Sequence, residues 1–222
     1  SNPGYKYNLV EPDTLNDYRG TYLFVEQEEG GHFYDSSNET YDPYESNAKS
    51  CSVINENTVN QSNYAMMRSA ITIEKKVING QDAYVAKNYN GKYFVNDSSE
   101  SRFLTFSADL NEDNILTIKN NPNGGLQIGF TVGNYFYGFS YDSNCKCFFF
   151  EKSDNYQNAR LYKIGETQEL TNDIESFASY FDSLTGDFAP TSDEMRNNCK
   201  NEFNLLGADA QGYLANLTYN HA

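Results

Sequence analysis

Few side chains in this sequence could support nucleophilic catalysis. The 222-residue chain has two histidines, His32 in an acidic segment and His221 at the penultimate position. A serine or cysteine nucleophile needs a positioned base, so His32 would have to serve, and no Gly-x-Ser-x-Gly turn occurs. Paired carboxylates can perform acid–base chemistry without histidine, but their abundance in an acidic chain identifies no particular pair. The sequence therefore predicts no catalytic residues and favours a protein that is not an enzyme.

Four cysteines offer either a metal site or a disulfide bond. Cys145 and Cys147 are two residues apart in an expected strand, so both side chains should point to one face, which makes a bond between them awkward. Zinc sites built from cysteines usually have wider spacing within a pair, and no metal is predicted. The favoured prediction is a disulfide bond from Cys51 to Cys145 or Cys147. Cys199 is expected to be a buried apolar residue of a helix.

The charge of the chain limits its partners. The formal net charge is -15, which repels the phosphates of nucleic acids and of anionic membranes. No apolar stretch approaches the length of a membrane span. We therefore expect no nucleic-acid partner, no membrane insertion and no cofactor. Acidity is typical of a soluble secreted protein, and four cysteines are compatible with export.

Short strands separated by turn residues are predicted throughout residues 5–164. The chain contains 19 tyrosines and 15 phenylalanines, which suit a pleated, half-buried surface. Asn and Gly residues between apolar runs favour hairpin turns. The expected single strands are residues 22–25 and 70–73, and the expected hairpins pair 83–86 with 93–95, 103–107 with 115–118, and 126–132 with 135–141.

A repeat suggests how these strands are arranged. Gly-x-Tyr followed by Leu or Phe occurs at residues 20–23, 91–94 and 133–136. A second element, which starts with Ile or Leu and ends with Ile, begins at residues 71, 116 and 161, which are 45 apart each time. A fixed period of this size is typical of repeated supersecondary units, and closure of such units removes exposed strand edges. The sequence predicts a mainly β fold, a closed β-barrel that is β-trefoil-like, with three units of about 45 residues.

The first unit carries an insertion at residues 27–67, which we expect to be a long, exposed loop. It contains Tyr34, Tyr41 and Tyr44 among many acidic residues. Tyrosines on adaptable loops supply a large contact area at low entropic cost, and long loops on rigid scaffolds often carry function. These three tyrosines are the predicted ligand-binding residues. The alternative is a loop that folds back onto the barrel.

The hydrophobic period changes to a helical one after residue 164. Asn172 with Glu175, and Thr191 with Glu194, have the spacing of capping boxes. Residues 167–222 are therefore expected to form a small helical appendage of two to three short helices.

The order of several phrases resembles a known kind of module. These phrases are the run from Asp17 to Val25, Gly91-Lys-Tyr-Phe94 and the closing Leu161-Tyr-Lys-Ile164. Together they resemble an uncharacterised β-rich module of secreted and surface proteins of gut bacteria, which a helical segment can follow. The resemblance covers residues 5–164. It implies an accessory region beside surface enzymes, and it supplies no catalytic residues.

These observations favour an extracellular, non-catalytic binding or adhesion module, secreted or at the cell surface. A glycan or a cell-surface protein is the expected ligand, and other domains of a larger secreted protein are expected neighbours. A carboxylate-based extracellular hydrolase and a structural spacer domain are the alternatives.

Overall fold

The computed structural model describes residues 6–12, 17–39, 47–51, 53–55, 58–60, 66, 68–96, 104–152 and 157–164. These ranges form fifteen β-strands and one 3-10 helix, so the prediction of a mainly β fold is confirmed. No helix within them has the length and apolar character needed to span a bilayer. The expected helical appendage at residues 167–222 lies outside the described residues, and so do Tyr41, Tyr44 and Cys199.

The strands are short and follow one another closely along the chain. In order they are β1 (Lys6–Leu9), β2 (Gly20–Glu26), β3 (His32–Tyr34), β4 (Ala48–Ser50), β5 (Val53–Asn55), β6 (Thr58–Asn60), β7 (Ile71–Ile78), β8 (Gln81–Lys87), β9 (Tyr93–Val95), β10 (Thr105–Ser107), β11 (Thr117–Asn120), β12 (Leu126–Val132), β13 (Tyr135–Asp142), β14 (Cys147–Lys152) and β15 (Ala159–Ile164). The 3-10 helix, Glu112–Asn114, lies between β10 and β11.

The strands form two antiparallel sheets. The first follows the order β10-β9-β8-β7-β2-β15-β1-β6-β5, and β3 pairs with both β2 and β4. Strand β2 joins the two halves of this sheet, because residues 20–22 pair with β7 and residues 23–26 pair with β15. The second sheet has the order β11-β12-β13-β14.

Both sheets are open within the described residues, so the prediction of a closed barrel is wrong, and no β-trefoil is observed there. The phrases that suggested three equal units occupy unequal positions. Residues 71–73 begin β7, which lies between β2 and β8. Residues 116–118 lead into β11, which pairs with β12 in the other sheet. Residues 161–164 lie in β15, which lies between β1 and β2. A short recurring phrase favours a strand but leaves the partner of that strand undetermined.

An aromatic core packs the two sheets together. Phe24 and Phe94 of the first sheet contact Phe139 of the second, with ring centroids 4.7 and 5.9 Å from it. Phe139 also stacks on Phe148 at 5.6 Å. Offset and edge-to-face arrangements of this kind are favourable for aromatic rings. The cluster therefore fills the space between the facing sides of the sheets.

The described part of residues 27–67 is not the exposed loop that was expected. It contributes β3 to β6 to the first sheet. Phe33 and Cys51 pack with Val25 in a second apolar cluster on the other face of β2, because successive residues of a strand point to opposite faces. The described part of the inserted segment thus belongs to the sheet and to its core.

Two asparagine side chains bind backbone groups at one cross-strand pair. Tyr141 of β13 lies opposite Phe148 of β14. The Asn47 amide donates to the Phe148 carbonyl (2.9 Å) and accepts from the Phe148 N–H (2.6 Å). Asn158 does the same for Tyr141, at 2.8 and 2.9 Å. A primary amide offers both a donor and an acceptor, so each side chain satisfies both backbone groups of its partner residue.

Candidate functional site

The turn between β8 and β9 carries an exposed aromatic ring on a fixed backbone. The turn runs from Asn88 to Gly91, between the segments 83–86 and 93–95 of a predicted hairpin, and the Gly91 N–H donates to the Asn88 carbonyl at 3.1 Å. Strands β8 and β9 pair through Lys87 and Tyr93, whereas residues 83–86 pair with β7 and not with 93–95 as predicted. Gly91 has a φ of 83°, a conformation that favours glycine. The Asn88 N–H donates to the Lys92 carbonyl at 2.8 Å and closes the turn. The Tyr89 side chain remains 46% exposed.

Residues 35–39 hold this turn in place from a distant part of the sequence. The Tyr89 N–H donates to Ser36 Oγ at 2.9 Å, and Ser36 Oγ donates to the Ala70 carbonyl at 2.7 Å. Asn90 Nδ2 donates to the Ser37 carbonyl at 3.1 Å. The Tyr89 backbone and the Asn90 side chain are therefore both hydrogen-bonded to Ser36 and Ser37.

Charged and amide groups lie on the residues next to Tyr89 in the turn and on Glu39, which is bonded to them. Glu39 Oε1 accepts from Asn88 Nδ2 at 2.6 Å, and Glu39 Oε2 pairs with Lys92 Nζ at 2.9 Å. Burial raises the pKa of Glu39, but hydrogen bonds from Lys92, Asn88 and Asn90 outweigh burial, so the net pKa lies below its usual value. We call Glu39, Asn88, Tyr89, Asn90 and Lys92 the Tyr89 surface.

Asp35 anchors the segment on which the turn rests. Its carboxylate accepts from the Ser37 N–H (3.1 Å), from Ser37 Oγ (2.6 Å) and from Ser69 Oγ (3.1 Å), and pairs with Lys49 Nζ at 3.0 Å. Burial raises the pKa of Asp35, but the bonds from Ser37 and Lys49 prevail and lower it overall. The buried carboxylate is therefore compensated by several donors.

We expect Asp35→Asn to lower the free energy of unfolding by about 1 to 2 kcal/mol at pH 7, because the ion pair with Lys49 is lost. The folded pKa of Asp35 lies below its unfolded value. The ionised Asp35 carboxylate therefore contributes to the free energy of unfolding above the unfolded pKa. This contribution is lost as the pH falls through the folded pKa. Urea unfolding of both proteins at pH 7 and at pH 2.5 measures this. A difference that persists unchanged at pH 2.5 would contradict the role of the charge.

A second polar cluster ties the two sheets together. The fully buried Glu26 carboxylate pairs with His32 Nδ1 and accepts from the Glu29 N–H at 2.7 Å. The His32 ring stacks on Tyr141 with centroids 4.3 Å apart, and His32 Nε2 lies 3.3 Å from the Tyr141 hydroxyl. Both ring nitrogens thus have partners, so the arrangement holds β3 against β13 and presents neither nitrogen to a nucleophile.

Of the three predicted ligand-binding tyrosines, Tyr34 lies within the described residues and is buried. Tyr34 has no exposed area and packs edge-to-face against Phe139 with centroids 4.9 Å apart. The alternation of β3 turns it toward the aromatic core, so it cannot contact a ligand at the surface as predicted. Tyr41 and Tyr44 lie outside the described residues and follow Glu39 by two and five positions in the sequence.

The prediction of a disulfide bond from Cys51 is wrong. Cys145 is bonded to Cys147, with Cα atoms 5.3 Å apart, and Cys51 is a buried free thiol. The prediction placed both members of the pair on a strand. Cys145 instead lies in the turn before β14, and Lys146 between them has a φ of 53°. This left-handed residue ends the strand alternation, and the two Cα atoms come within the usual disulfide distance.

No three His, Cys, Asp or Glu side chains within the described ranges are grouped to hold a metal ion. Comparison of the chain with known protein families, with curated proteins and with solved structures gives no match.

Proposed function

We propose that this protein is an extracellular, non-catalytic binding or adhesion module, an accessory part of secreted or surface proteins of gut bacteria. We further propose that it binds its ligand at the Tyr89 surface. The observation that carries the proposal is a half-exposed tyrosine ring on a turn whose backbone is hydrogen-bonded to a second segment.

The chemistry of this surface favours a glycan over an apolar ligand. A tyrosine ring offers an apolar face, and the neighbouring groups supply donors and acceptors that can bind hydroxyls. Asn90 and Lys92 provide the donors, and Glu39 provides the acceptor. Because these groups are already ordered, little conformational entropy is lost when a ligand binds. A cell-surface protein is the second class of ligand that such a surface accommodates.

Asp35 and Glu39, the two carboxylates of the segment that holds the turn, do not resemble those of a hydrolase. A carboxylate pair that performs acid–base catalysis needs one member with a raised pKa that acts as the acid. Asp35 and Glu39 both have lowered pKa values, so each is ionised at neutral pH. Within the described residues, this pair gives a hydrolase no general acid.

The test is a glycan array with the purified full chain, followed by titration calorimetry with a glycan that binds. Tyr89→Ala should weaken binding at least 10-fold, about 1.4 kcal/mol, since the stacking face is removed. The matched control is Tyr135→Ala, because Tyr135 is 50% exposed and borders the β12–β13 turn of the other sheet. We expect the control to bind as the unmodified protein does.

The remaining outcomes separate the alternatives. Binding that survives Tyr89→Ala would remove this surface from the proposal and direct attention to a Tyr41→Ala, Tyr44→Ala variant. Absence of binding to glycans and to bacterial cell-wall preparations would favour the structural spacer.

A further inference from the structure

We propose that the Cys145–Cys147 bridge is a reversible site of thiol–disulfide exchange with low-molecular-weight thiols, and not a structural cross-link. Both cysteines are partly exposed, in contrast to the buried Cys51. An external thiol can therefore approach the bridge from solvent. Exposed disulfides of this kind are the labile ones.

The bridge adds little to the constraints on the fold. It closes a loop with a single intervening residue, Lys146. The entropy that a disulfide removes from the unfolded chain increases with loop length, so this bridge removes little. Strands β13 and β14 are already aligned by six residue pairs, from Tyr137 with Lys152 to Asp142 with Cys147. The hairpin therefore keeps its register when the bridge opens.

The exchange proceeds in two balanced steps. The thiolate of an external thiol attacks one sulfur and forms a mixed disulfide, and the other cysteine leaves as a thiolate that takes up a proton. A second external thiolate then attacks the mixed disulfide. It releases the external disulfide and leaves the second cysteine as a thiol. Two external thiols thus supply the two electrons that reduce the bridge, and an external disulfide reverses the reaction.

The reduced state is accommodated by groups that are already in place. Cys145 Sγ lies 3.7 Å from the Asp142 carbonyl oxygen and 3.8 Å from the Cys147 carbonyl oxygen. A Cys145 thiol can donate a weak hydrogen bond to either of them. Reduction therefore leaves this thiol with acceptors nearby.

The free thiol of Cys51 does not compete in this exchange. Burial, with a smaller contribution from the Glu26 charge, raises the pKa of Cys51 to about 12. Because only the thiolate reacts, this buried thiol reacts much more slowly near neutral pH than an exposed cysteine of ordinary pKa. Cys51 serves as an internal control in the test.

The experiment uses the full chain with Cys199→Ser, incubated at pH 7.5 in an excess of reduced glutathione and then treated with iodoacetamide. Peptide mass spectrometry should find two added groups on the segment with Cys145 and Cys147, and none on Cys51. The melting temperature of the reduced protein should stay within about 4 °C of the oxidised one. Oxidised glutathione should restore the bridge.

Three results would overturn the proposal: a bridge that stays closed in the folded protein, loss of the fold when it opens, and failure to close again. A Cys145→Ser, Cys147→Ser variant gives an independent measurement. We expect it to fold and to melt within the same 4 °C or so of the parent, and a variant that does not fold would identify a structural cross-link.

Discussion

Phe139→Ala should lower the free energy of unfolding by about 4 kcal/mol. Phe139 is buried at the centre of the aromatic core, where Phe24 of β2 and Tyr34 of β3 meet it with ring centroids 4.7 and 4.9 Å away. Removal of the ring leaves a cavity between the two sheets, whose lining loses contacts on one side. Urea unfolding followed by far-UV circular dichroism measures the loss.

Two further variants control for this measurement. Phe139→Leu retains much of the apolar volume and should cost about 1 to 2 kcal/mol. Tyr135→Ala removes an exposed ring from the same strand, together with the contact of Lys152 Nζ 3.5 Å from the ring centroid. It should change the free energy of unfolding by no more than about 1 kcal/mol. A loss for Phe139→Ala that is no larger than the loss for Tyr135→Ala would show that the sheets do not pack through this ring.

Gly129→Ala should lower the free energy of unfolding by about 3 kcal/mol, although only one methyl group is added. Gly129 of β12 lies directly opposite Gly138 of β13. A Cβ at residue 129 would overlap the Tyr137 carbonyl oxygen and lie 2.8 Å from Gly138 Cα. Both obstacles are backbone atoms, so no rotamer change relieves the contact, and the two strands must separate.

Thr131→Ala is the matched control, because Thr131 is exposed on the same strand and bonds to Thr117 Oγ1 at 2.7 Å. We expect the free energy of unfolding of Thr131→Ala to be about 0.5 kcal/mol lower than that of the unmodified protein. Thermal denaturation of both variants and of the unmodified protein in the same buffer gives the melting temperatures to be compared. Equal melting temperatures for Gly129→Ala and the unmodified protein would show that β12 and β13 are farther apart than described.

Local sequence patterns predicted strands and one tight hairpin well, but not strand partners. The hairpin across Gly133 and Asn134 is confirmed, with β12 at Leu126–Val132 and β13 at Tyr135–Asp142. The predicted pairing of residues 103–107 with 115–118 is wrong, since β10 pairs with β9 and β11 with β12. A period of two residues indicates a strand, whereas the partner depends on packing between distant segments.

The same limit applies to the candidate site. The turn at Asn88 to Gly91 could be predicted because Asn and Gly suit it. Glu39, which binds Asn88, lies 49 residues earlier in the chain, and no local pattern joins them. The bond between Cys145 and Cys147 was missed because it depends on a left-handed Lys146, a conformation uncommon outside glycine, asparagine and aspartate.

The Asn47 amide also affects how copies of this protein meet at high concentration. Within the described residues β14 ends the second sheet, and unpaired backbone groups on such an edge can template aggregation or domain swapping. Because Asn47 binds both backbone groups of Phe148, an incoming strand would have to displace it. The Asn47 side chain thus keeps the Phe148 backbone groups, on the outer edge of β14, from pairing with a strand of another molecule. Deamidation of Asn47, which replaces its donor with a carboxylate oxygen, would leave the Phe148 carbonyl open to a donor from another chain.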